Sequence, residues 1–336
     1  MSSEMKAAVS PRYGGPDVIE IRQVPKPLPK EREVLVAVHA AAVGRTDCGM
    51  LRPHPPILGR MIGGVFRPRP ILGMEFAGVV EAVGSGVAKF KPGDRVFGML
   101  TLRRPGAHAE YVCVPEDGYI AVMPEGLPFE QAVLCEGAFY ASGCLAALGI
   151  KPGDSILIYG ASGAIGTAAV QLAKSAGARV TAVVGTRHVE LVRSLGAERA
   201  IDYTKEDFTR IGETFDGVLD AVGKTTFLRC RRLLKPGAMF VGTDMGPWGQ
   251  TLLLTMWRAV TGRGRVTVPM PRPIPEFTEM LKARMEAGEL RAVIDRRYPL
   301  EAIADAYRYV ETGQKTGIVI IEVRRSSEAA GSGGTI

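Results

Sequence analysis

The sequence predicts an α/β protein in which a β-rich N-terminal domain precedes a doubly wound parallel-sheet domain, and three observations carry that prediction. The first 120 residues hold short alternating or β-branched runs set off by Pro, Gly and Asp turns. From Ser155 to Thr243 short, nearly continuous apolar runs alternate with amphipathic ones, the pattern of parallel strands covered on both faces by helices. A glycine-rich turn, Gly160 to Gly166, joins the first of those strands to the helix after it. A length of 336 residues suits two domains and suffices for a core that needs no disulfide.

The elements follow in order. Val34–Val38, Gly78–Val83, Arg95–Gly98 and Ala109–Val114 read as strands, with Lys91-Pro92-Gly93-Asp94 as one of the turns between them. From Pro128 the apolar residues Phe129, Ala132, Val133, Phe139 and Leu145 recur near helical spacing until Gly149 and Pro152, which places a domain boundary near residue 125. Strands over Ile156–Tyr159, Arg179–Val184, Ala200–Asp202, Gly217–Ala221 and Met239–Thr243 then alternate with helices over Ile165–Ala176, Val189–Leu195 and Thr225–Leu234. Val266–Val268 reads as one more short strand, and the proline-rich Pro269–Pro275 as a connector. Helices over Glu276–Ala287 and Leu300–Glu311 lead to a last strand, Gly317–Val323, which must return to a sheet to pair its backbone. Arg324–Ile336 has the composition of a disordered tail. The division is therefore 1–125, 126–268, 269–323 returning to the first domain, and 324–336.

Composition narrows the class. The chain is 46% hydrophobic and 23% charged, with 41 Gly and 23 Pro, which disfavours coiled coil, collagen and global disorder. A net charge of +7 admits a polyanionic partner, but the arginines are scattered, and a solvated basic surface is the better reading than a nucleic-acid site. Five cysteines, Cys48, Cys113, Cys135, Cys144 and Cys230, form neither a CxxC pair nor a disulfide ladder and suit a reducing compartment. The N-terminus lacks a signal-peptide core, and the apolar stretch singled out as the longest, Leu252–Trp257, is far short of a span of roughly 20 residues. A soluble cytoplasmic protein without a membrane partner is expected.

The strongest chemical signal is Gly160-Ala161-Ser162-Gly163-Ala164-Ile165-Gly166, between a strand and a helix. Gly160 permits a tight turn, Gly163 lets the backbone approach a pyrophosphate, Gly166 lets the helix pack closely on the strand, and the helix N-terminus faces the anion. In that context the motif points to a dinucleotide. At the end of the second strand, where an NAD site places a carboxylate for the ribose 2′-OH, the chain reads Gly185-Thr186-Arg187-His188, with no acid until Glu190. A guanidinium and a hydroxyl suit a 2′-phosphate, so NADP(H) is the expected cofactor; an arginine capping the turn is the alternative.

With these residues in hand, the chain resembles the medium-chain dehydrogenase/reductase superfamily and its zinc-independent quinone oxidoreductase-like branch over residues 5 to 323. The resemblance is carried by Val43-Gly44-Arg45-Thr46-Asp47, Leu72-Gly73-Met74-Glu75-Phe76-Ala77-Gly78, Lys91-Pro92-Gly93-Asp94-Arg95-Val96, Gly106-Ala107-His108-Ala109-Glu110-Tyr111 and the glycine turn. It implies a GroES-like β-barrel catalytic domain, a Rossmann domain, an active site in the cleft between them, and a homodimer. In zinc-dependent relatives the first two motifs supply a cysteine and a histidine ligand; here Gly44 and Met74 stand there, and Cys135 falls near the place of a third. One thiolate is not a zinc site, so no bound metal is expected. Without that Lewis acid, a quinone, an α,β-unsaturated carbonyl or a related carbonyl is the favoured acceptor, because a conjugated acceptor spreads the developing charge itself.

The resemblance also suggests catalytic candidates. Thr46 matches a hydroxyl residue of the proton relay, or else caps its turn beside Asp47. Tyr140 matches a position beside the nicotinamide ring, where its phenol would donate to a carbonyl oxygen, or else it packs. Glu136, one helical turn earlier, would reload that donor, or is simply solvated. Tyr203 matches a tyrosine lying against the adenosine phosphate, and Ala221 and Val222, in Asp220-Ala221-Val222-Gly223, match the strand end on the nicotinamide side. Lys315 is the local substitute for a C-terminal phosphate contact, and His108 reads as structural. The long Met50–Ile71 link should lie near the cleft mouth, and Trp248–Trp257 lines either a pocket or a dimer contact. A zinc-free alcohol dehydrogenase or ketone reductase, and a cofactor-binding regulatory or RNA-binding protein, are the competing readings.

Overall fold

The computed structural model describes residues 3–53, 68–269, 274 and 276–324, which divide into two compact units. The expected tail past Arg324, residues 54–67 of the Met50–Ile71 link, and most of the Pro269–Pro275 connector lie outside the described residues.

The first unit comprises residues 1–135, 276–286 and 294–336. Its strands are β1 (Glu4–Val9), β2 (Glu20–Pro25), β3 (Glu33–Val43), β4 (Glu75–Val83), β5 (Arg95–Met99), β6 (Tyr111–Pro115), β7 (Tyr119–Val122), β14 (Ile294–Pro299) and β15 (Ile318–Glu322). β1 and β2 form a hairpin, and a seven-stranded sheet runs β14-β15-β3-β4-β5-β7 with β6 paired to β3. All its pairs are antiparallel except β14 with β15. The eleven-residue β3 is the hub, pairing with β15, β4 and β6 along its length. The last strand thus returns to the first domain, as its backbone required.

Helices α1 (Arg45–Leu51), α8 (Phe277–Glu286) and α9 (Ile303–Glu311) belong to this unit. α9 buries Ile303, Ala306, Tyr307 and Val310, spaced three or four apart, into a core shared with Leu51, Leu72, Phe76 and Val319.

The second unit comprises residues 136–275 and 287–293. Its six-stranded sheet runs β10 (Arg199–Asp202), β9 (Arg179–Val184), β8 (Ser155–Tyr159), β11 (Phe215–Asp220), β12 (Leu234–Gly242) and β13 (Val266–Thr267). Every pair is parallel. The intervening helices are α4 (Ala164–Ser175), α5 (Val189–Ser194), α6 (Phe227–Cys230) and α7 (Gln250–Thr261). Order 10-9-8-11-12-13 reverses direction at β8, so the carboxyl ends of β8 and β11 flank a topological switch point, where open α/β sheets place their ligands.

Several elements differ from the sequence reading. The helix read from Pro128 to Gly149 is two helices, α2 (Phe129–Ala132) and α3 (Cys135–Leu148), because Val133 leaves helical geometry at φ −85°, ψ 81°. The first unit keeps residues 126–135, since α2 packs on β3 and β4 rather than on the parallel sheet. Residues 287–293, read as part of the return, go with the second unit: Gln171 Nε2 donates to the Arg291 carbonyl (3.2 Å), and Arg291 N–H donates to Gln171 Oε1 (3.0 Å). The helix read over Thr225–Leu234 is only α6 and one 3-10 turn, Arg231–Leu233, before β12 starts early at Leu234.

Among the described residues Phe129–Leu148, 20 residues across α2 and α3, is a longer apolar helical stretch than Leu252–Trp257. It is apolar enough to cross a membrane by composition, but 61% of its window is buried inside the protein, as a core helix is. The sequence reading also passed over β1, β2, α1, β7, β14 and α7.

Candidate functional site

The glycine turn takes the shape its residues dictate. Gly160 has φ +75°, and a Cβ there would lie 2.5 Å from the Val222 side chain, so only glycine both makes the turn and fits beneath Val222. A Cβ on Gly166 would stand 2.3 Å from the Gly160 carbonyl oxygen and 2.6 Å from Ala161 Cα, which fixes how closely α4 approaches the strand end. Gly163 is the N-cap of α4, and around its missing Cβ nothing comes nearer than 3.8 Å. That opening is what a pyrophosphate needs.

The first turn of α4 carries no acidic side chain, and its N-cap has no side-chain cap, so the N–H groups of Ala164, Ile165 and Gly166 have no carbonyl within the helix to bond. The turn is tied from below, where Gly160 N–H donates to the Val183 carbonyl of β9 (3.1 Å). Ala161 is buried, and Ser162 and Ile165 are half-buried beside it.

Asp220, at the end of β11, arranges the facing loop. Its carboxylate accepts N–H bonds from Val222 (3.1 Å), Gly223 (2.9 Å) and Thr225 (2.9 Å), and burial raises its pKa against those bonds. The loop so folded sets Val222, 37% exposed, over Gly160 and leaves Ala221 buried behind it.

At the end of β9 the structure adds a carboxylate that sequence reading missed. Thr186 Oγ1 donates to Asp202 Oδ2 (2.6 Å), while Thr204 donates its N–H (3.0 Å) and hydroxyl (2.7 Å) to Asp202 Oδ1. These bonds, the Thr186 one first, hold the Asp202 pKa down to about 2. The acid comes from the end of β10 rather than from the β9 loop. It is 8% exposed and turned toward the two threonines, while Thr186 and Arg187 stay exposed. The Asp202-Tyr203-Thr204 spacing, an Asx-turn pattern, was the available signal.

Tyr203, 54% exposed, approaches Gly185, whose missing Cβ would lie 3.4 Å from the phenol oxygen. It borders an open depression of about 440 Å³ with Tyr159, Lys205, Phe208 and Arg229, also missed from sequence. Two of its lining residues, Tyr159 and Tyr203, have ring centroids 6.4 Å apart.

The second unit also carries Glu136 and Tyr140, both half-buried on α3. Gly137 lies between them in sequence, and a Cβ there would be 2.8 Å from the Ala164 carbonyl oxygen. The first turn of α3 is therefore packed on the N-terminus of the glycine-turn helix. Glu136 and Tyr140 are four apart on that helix, and the Tyr140 ring stands edge-on to Phe139 at 6.0 Å.

Thr46 and Lys315 belong to the first unit. Thr46 is half-buried in the first turn of α1, beside Asp47, whose carboxylate accepts N–H bonds from Gly44 (2.8 Å) and Gly73 (3.1 Å). Burial pushes the Asp47 pKa up to about 7. Lys315 Nζ donates to the Gly317 carbonyl (2.5 Å), a local bond that steadies the entry to β15.

The positions where relatives hold zinc do not fit that metal. Gly44 offers no donor atom, Met74 is a buried thioether, and burial, followed by the Glu75 carboxylate, pushes the Cys135 thiol well above its ordinary range. Among the described residues no three His, Cys, Asp or Glu side chains gather as a metal-holding group.

Comparison with known proteins gives the family. The family model for alcohol dehydrogenase GroES-like domains matches residues 30–125, and that for zinc-binding dehydrogenases matches residues 195–321, a span that includes none of Gly44, Met74 and Cys135. The 2-methylene-furan-3-one reductase of Solanum lycopersicum is 34% identical, across 95% of this chain and 79% of its own. The NADPH-dependent alkenal/one oxidoreductase of Arabidopsis thaliana is 33% identical, over the same shares. The solved quinone oxidoreductase of Coxiella burnetii superposes with a TM-score of 0.83 at 28% identity, covering 96% of this chain and all of that one. The chain belongs to the medium-chain dehydrogenase/reductase superfamily, in its quinone oxidoreductase-like branch.

Proposed function

We propose that this protein is an NADPH-dependent reductase of quinones and α,β-unsaturated carbonyl compounds that works without a catalytic metal. The observation that carries the reading is the nucleotide cradle: Gly160, Gly163 and Gly166 open the backbone to a pyrophosphate, and Thr186 and Arg187 stand exposed at the end of β9. The acceptors named for the relatives share one chemistry. A methylene-furanone, an alkenal or enone, and a quinone each conjugate a C=C bond with a carbonyl.

The residues present fit the cofactor. The first-turn N–H groups of α4 would hold the pyrophosphate, Arg187 the 2′-phosphate, Tyr203 the adenosine end, and Ala221 with Val222 the nicotinamide end, while the Thr186 hydroxyl, expected at the 2′-phosphate, is instead committed to Asp202. When bound, NADPH would supply the hydride for the β-carbon of an enone, and the site must then meet the negative charge that conjugation passes to the carbonyl oxygen. Tyr140 would donate its phenolic proton to that oxygen or hydrogen-bond it, and Glu136, one helical turn earlier, would restore the proton. Thr46, carried over from the family motif, would be a further donor. Hydrogen bonds suffice because conjugation already disperses the charge that zinc would otherwise take.

Ketone reduction or alcohol oxidation is the second reading, supported by the likeness to a solved NAD-dependent alcohol dehydrogenase at 28% identity and a TM-score of 0.79. NADPH oxidation measured against a quinone, an enone and the saturated ketone of the same skeleton separates the two. Turnover of the conjugated acceptors alone is expected, and equal turnover of the saturated ketone would favour the second reading. Assembly as a homodimer is proposed on the family resemblance, and a cytoplasmic location on the unpaired cysteines, which suit a reducing compartment.

A further inference from the structure

The residues that follow β10 run along the turn that follows β9. Tyr203 N–H donates to the Val184 carbonyl (3.0 Å), and its phenol oxygen lies 3.4 Å from where a Gly185 Cβ would stand. One residue on, the Thr204 and Thr186 hydroxyl oxygens are 3.0 Å apart. Next comes Lys205, whose Nζ lies 3.5 Å from Asp202 Oδ2, the oxygen that also accepts the Thr186 proton. The main chain of this strip is tied down, since Lys205 N–H (2.9 Å) and Glu206 N–H (3.0 Å) both donate to the Asp202 carbonyl. The Lys205 backbone is therefore fixed beside the Thr186 turn, while its side chain, 69% exposed, keeps the reach of a flexible four-carbon stem.

The charge at that turn does not balance without Lys205. A phosphate monoester carries about −1.5 to −2 at neutral pH. Arg187 supplies one positive charge, and Asp202, ionised at neutral pH and bonded to the adjoining Thr186, sets one negative charge against it. The two together leave no net attraction for a dianion. The other acids of the two turns are paired elsewhere: Glu190 with Arg193 (2.8 Å), Glu206 with Arg199 (3.9 Å) and Asp207 with Arg210 (3.5 Å). Lys315, the phosphate contact expected from the sequence, is bonded instead to the Gly317 carbonyl. The ammonium that offsets Asp202 is that of Lys205.

We propose that Lys205 is a specificity-determining residue for the cofactor, a second cation that joins Arg187 on the adenosine 2′-phosphate. This role rests on NADPH being the cofactor, and it explains how the site tolerates a carboxylate. An exposed ion pair at 3.5 Å, to a carboxylate already hydrogen-bonded by two threonines, is weak. A doubly charged phosphate is the stronger partner. Asp202 keeps the ammonium near Thr186 until a phosphate takes it over.

Calorimetric titration of the purified full-length protein with 2′,5′-ADP and with 5′-AMP, which differ by that one phosphate, tests this. Wild type should bind 2′,5′-ADP the more tightly. Lys205→Gln should weaken 2′,5′-ADP and NADPH by about tenfold, leaving 5′-AMP and NADH near wild type, and Lys205→Arg should restore most of the loss. The same loss should appear when Lys205→Gln is added to Asp202→Asn. If those last two proteins bind 2′,5′-ADP equally, Lys205 only screens Asp202 and the proposal is overturned. It is also overturned if Lys205→Gln binds 2′,5′-ADP as wild type does, or weakens 5′-AMP by the same factor, the mark of a distorted turn. Each of these failures leaves the NADPH reading standing so long as Arg187→Glu weakens 2′,5′-ADP. A wild type with no preference for 2′,5′-ADP over 5′-AMP would remove that reading and the role of Lys205 together.

Discussion

The Tyr307 hydroxyl lies 3.3 Å from His108 Nδ1, joining a helix near the end of the chain to a loop 199 residues earlier inside the first unit's core. His108 Nε2 is 2.8 Å from the Ala42 carbonyl, an acceptor only, so the ring carries its proton on Nε2 and receives the Tyr307 O–H on Nδ1. Both side chains are 1% exposed. Tyr307→Phe leaves a buried acceptor without a donor and should cost about 1 to 3 kcal/mol in denaturant unfolding, with cofactor affinity unchanged.

The same imidazole gives stability a pH dependence. Burial pushes the His108 pKa from 6.5 down to about 4, so on unfolding below pH 6.5 the ring takes up a proton that the folded protein refuses. Its contribution is complete above 6.5 and is lost as pH falls toward 4. Asp47 acts oppositely: with its pKa raised from 3.8 to about 7, its contribution is present at low pH and lost as pH rises through 7. The two slopes oppose each other in the wild type, and His108→Gln should uncover the second. The stability gap between wild type and this variant should narrow by about 2 kcal/mol between pH 7 and pH 5, measured by chemical denaturation in each buffer.

Arg187→Glu should reverse the cofactor preference. Losing a charge-assisted bond to the 2′-phosphate and adding a repelling carboxylate should raise the KM for NADPH by about tenfold to a hundredfold, with little change for NADH. Asp202→Asn, which removes a carboxylate that holds the Thr186 proton, should not raise the KM for NADPH. An unchanged ratio of the two KM values in Arg187→Glu would remove the arginine from the cofactor site.

Gly166→Ala should abolish nucleotide binding, because its Cβ meets backbone atoms of Gly160 and Ala161 that cannot yield without opening the turn. Gly163→Ala, where space is available, should be milder in stability but still block the approach of a pyrophosphate. Thermal unfolding with and without NADPH distinguishes the two: Gly166→Ala should unfold early in both cases, and Gly163→Ala should lose only the shift that NADPH confers.

Tyr140→Phe should lower enone turnover by about 10²-fold or more while the dissociation constant for NADPH stays near the wild-type value. A quinone should be less affected, since its second oxygen shares the charge. Equal enone turnover in the variant would reduce Tyr140 to a packing residue.

The parts of this protein that were legible in the sequence are those whose signal is local. The Gly160–Gly166 turn and the strand at Arg179–Val184 are set by glycine placement and unbroken apolar runs, and the structure gives that strand the bounds read for it. Asp202 was missed because its partner Thr186 is 16 residues away, and only the pairing of β9 with β10 brings the two together. α7 was passed over because its apolar face points outward, where a pattern reading assigns apolar residues to a core or a contact. The break at Val133 and the passage of residues 287–293 to the second unit depend on what each segment packs against, which no local window records.

β15 is an interior strand, seated between β14 and β3. During synthesis the first unit therefore cannot finish its sheet until residues 318–322 have left the ribosome, and until then the Ala40–Val43 stretch of β3, beyond its pairing with β6, stays open. The parallel sheet of the second unit needs nothing beyond Thr267 and closes earlier. The domain that begins the chain is thus the last to fold, and its unfinished β3 edge is the hazard for which a chaperone would be needed.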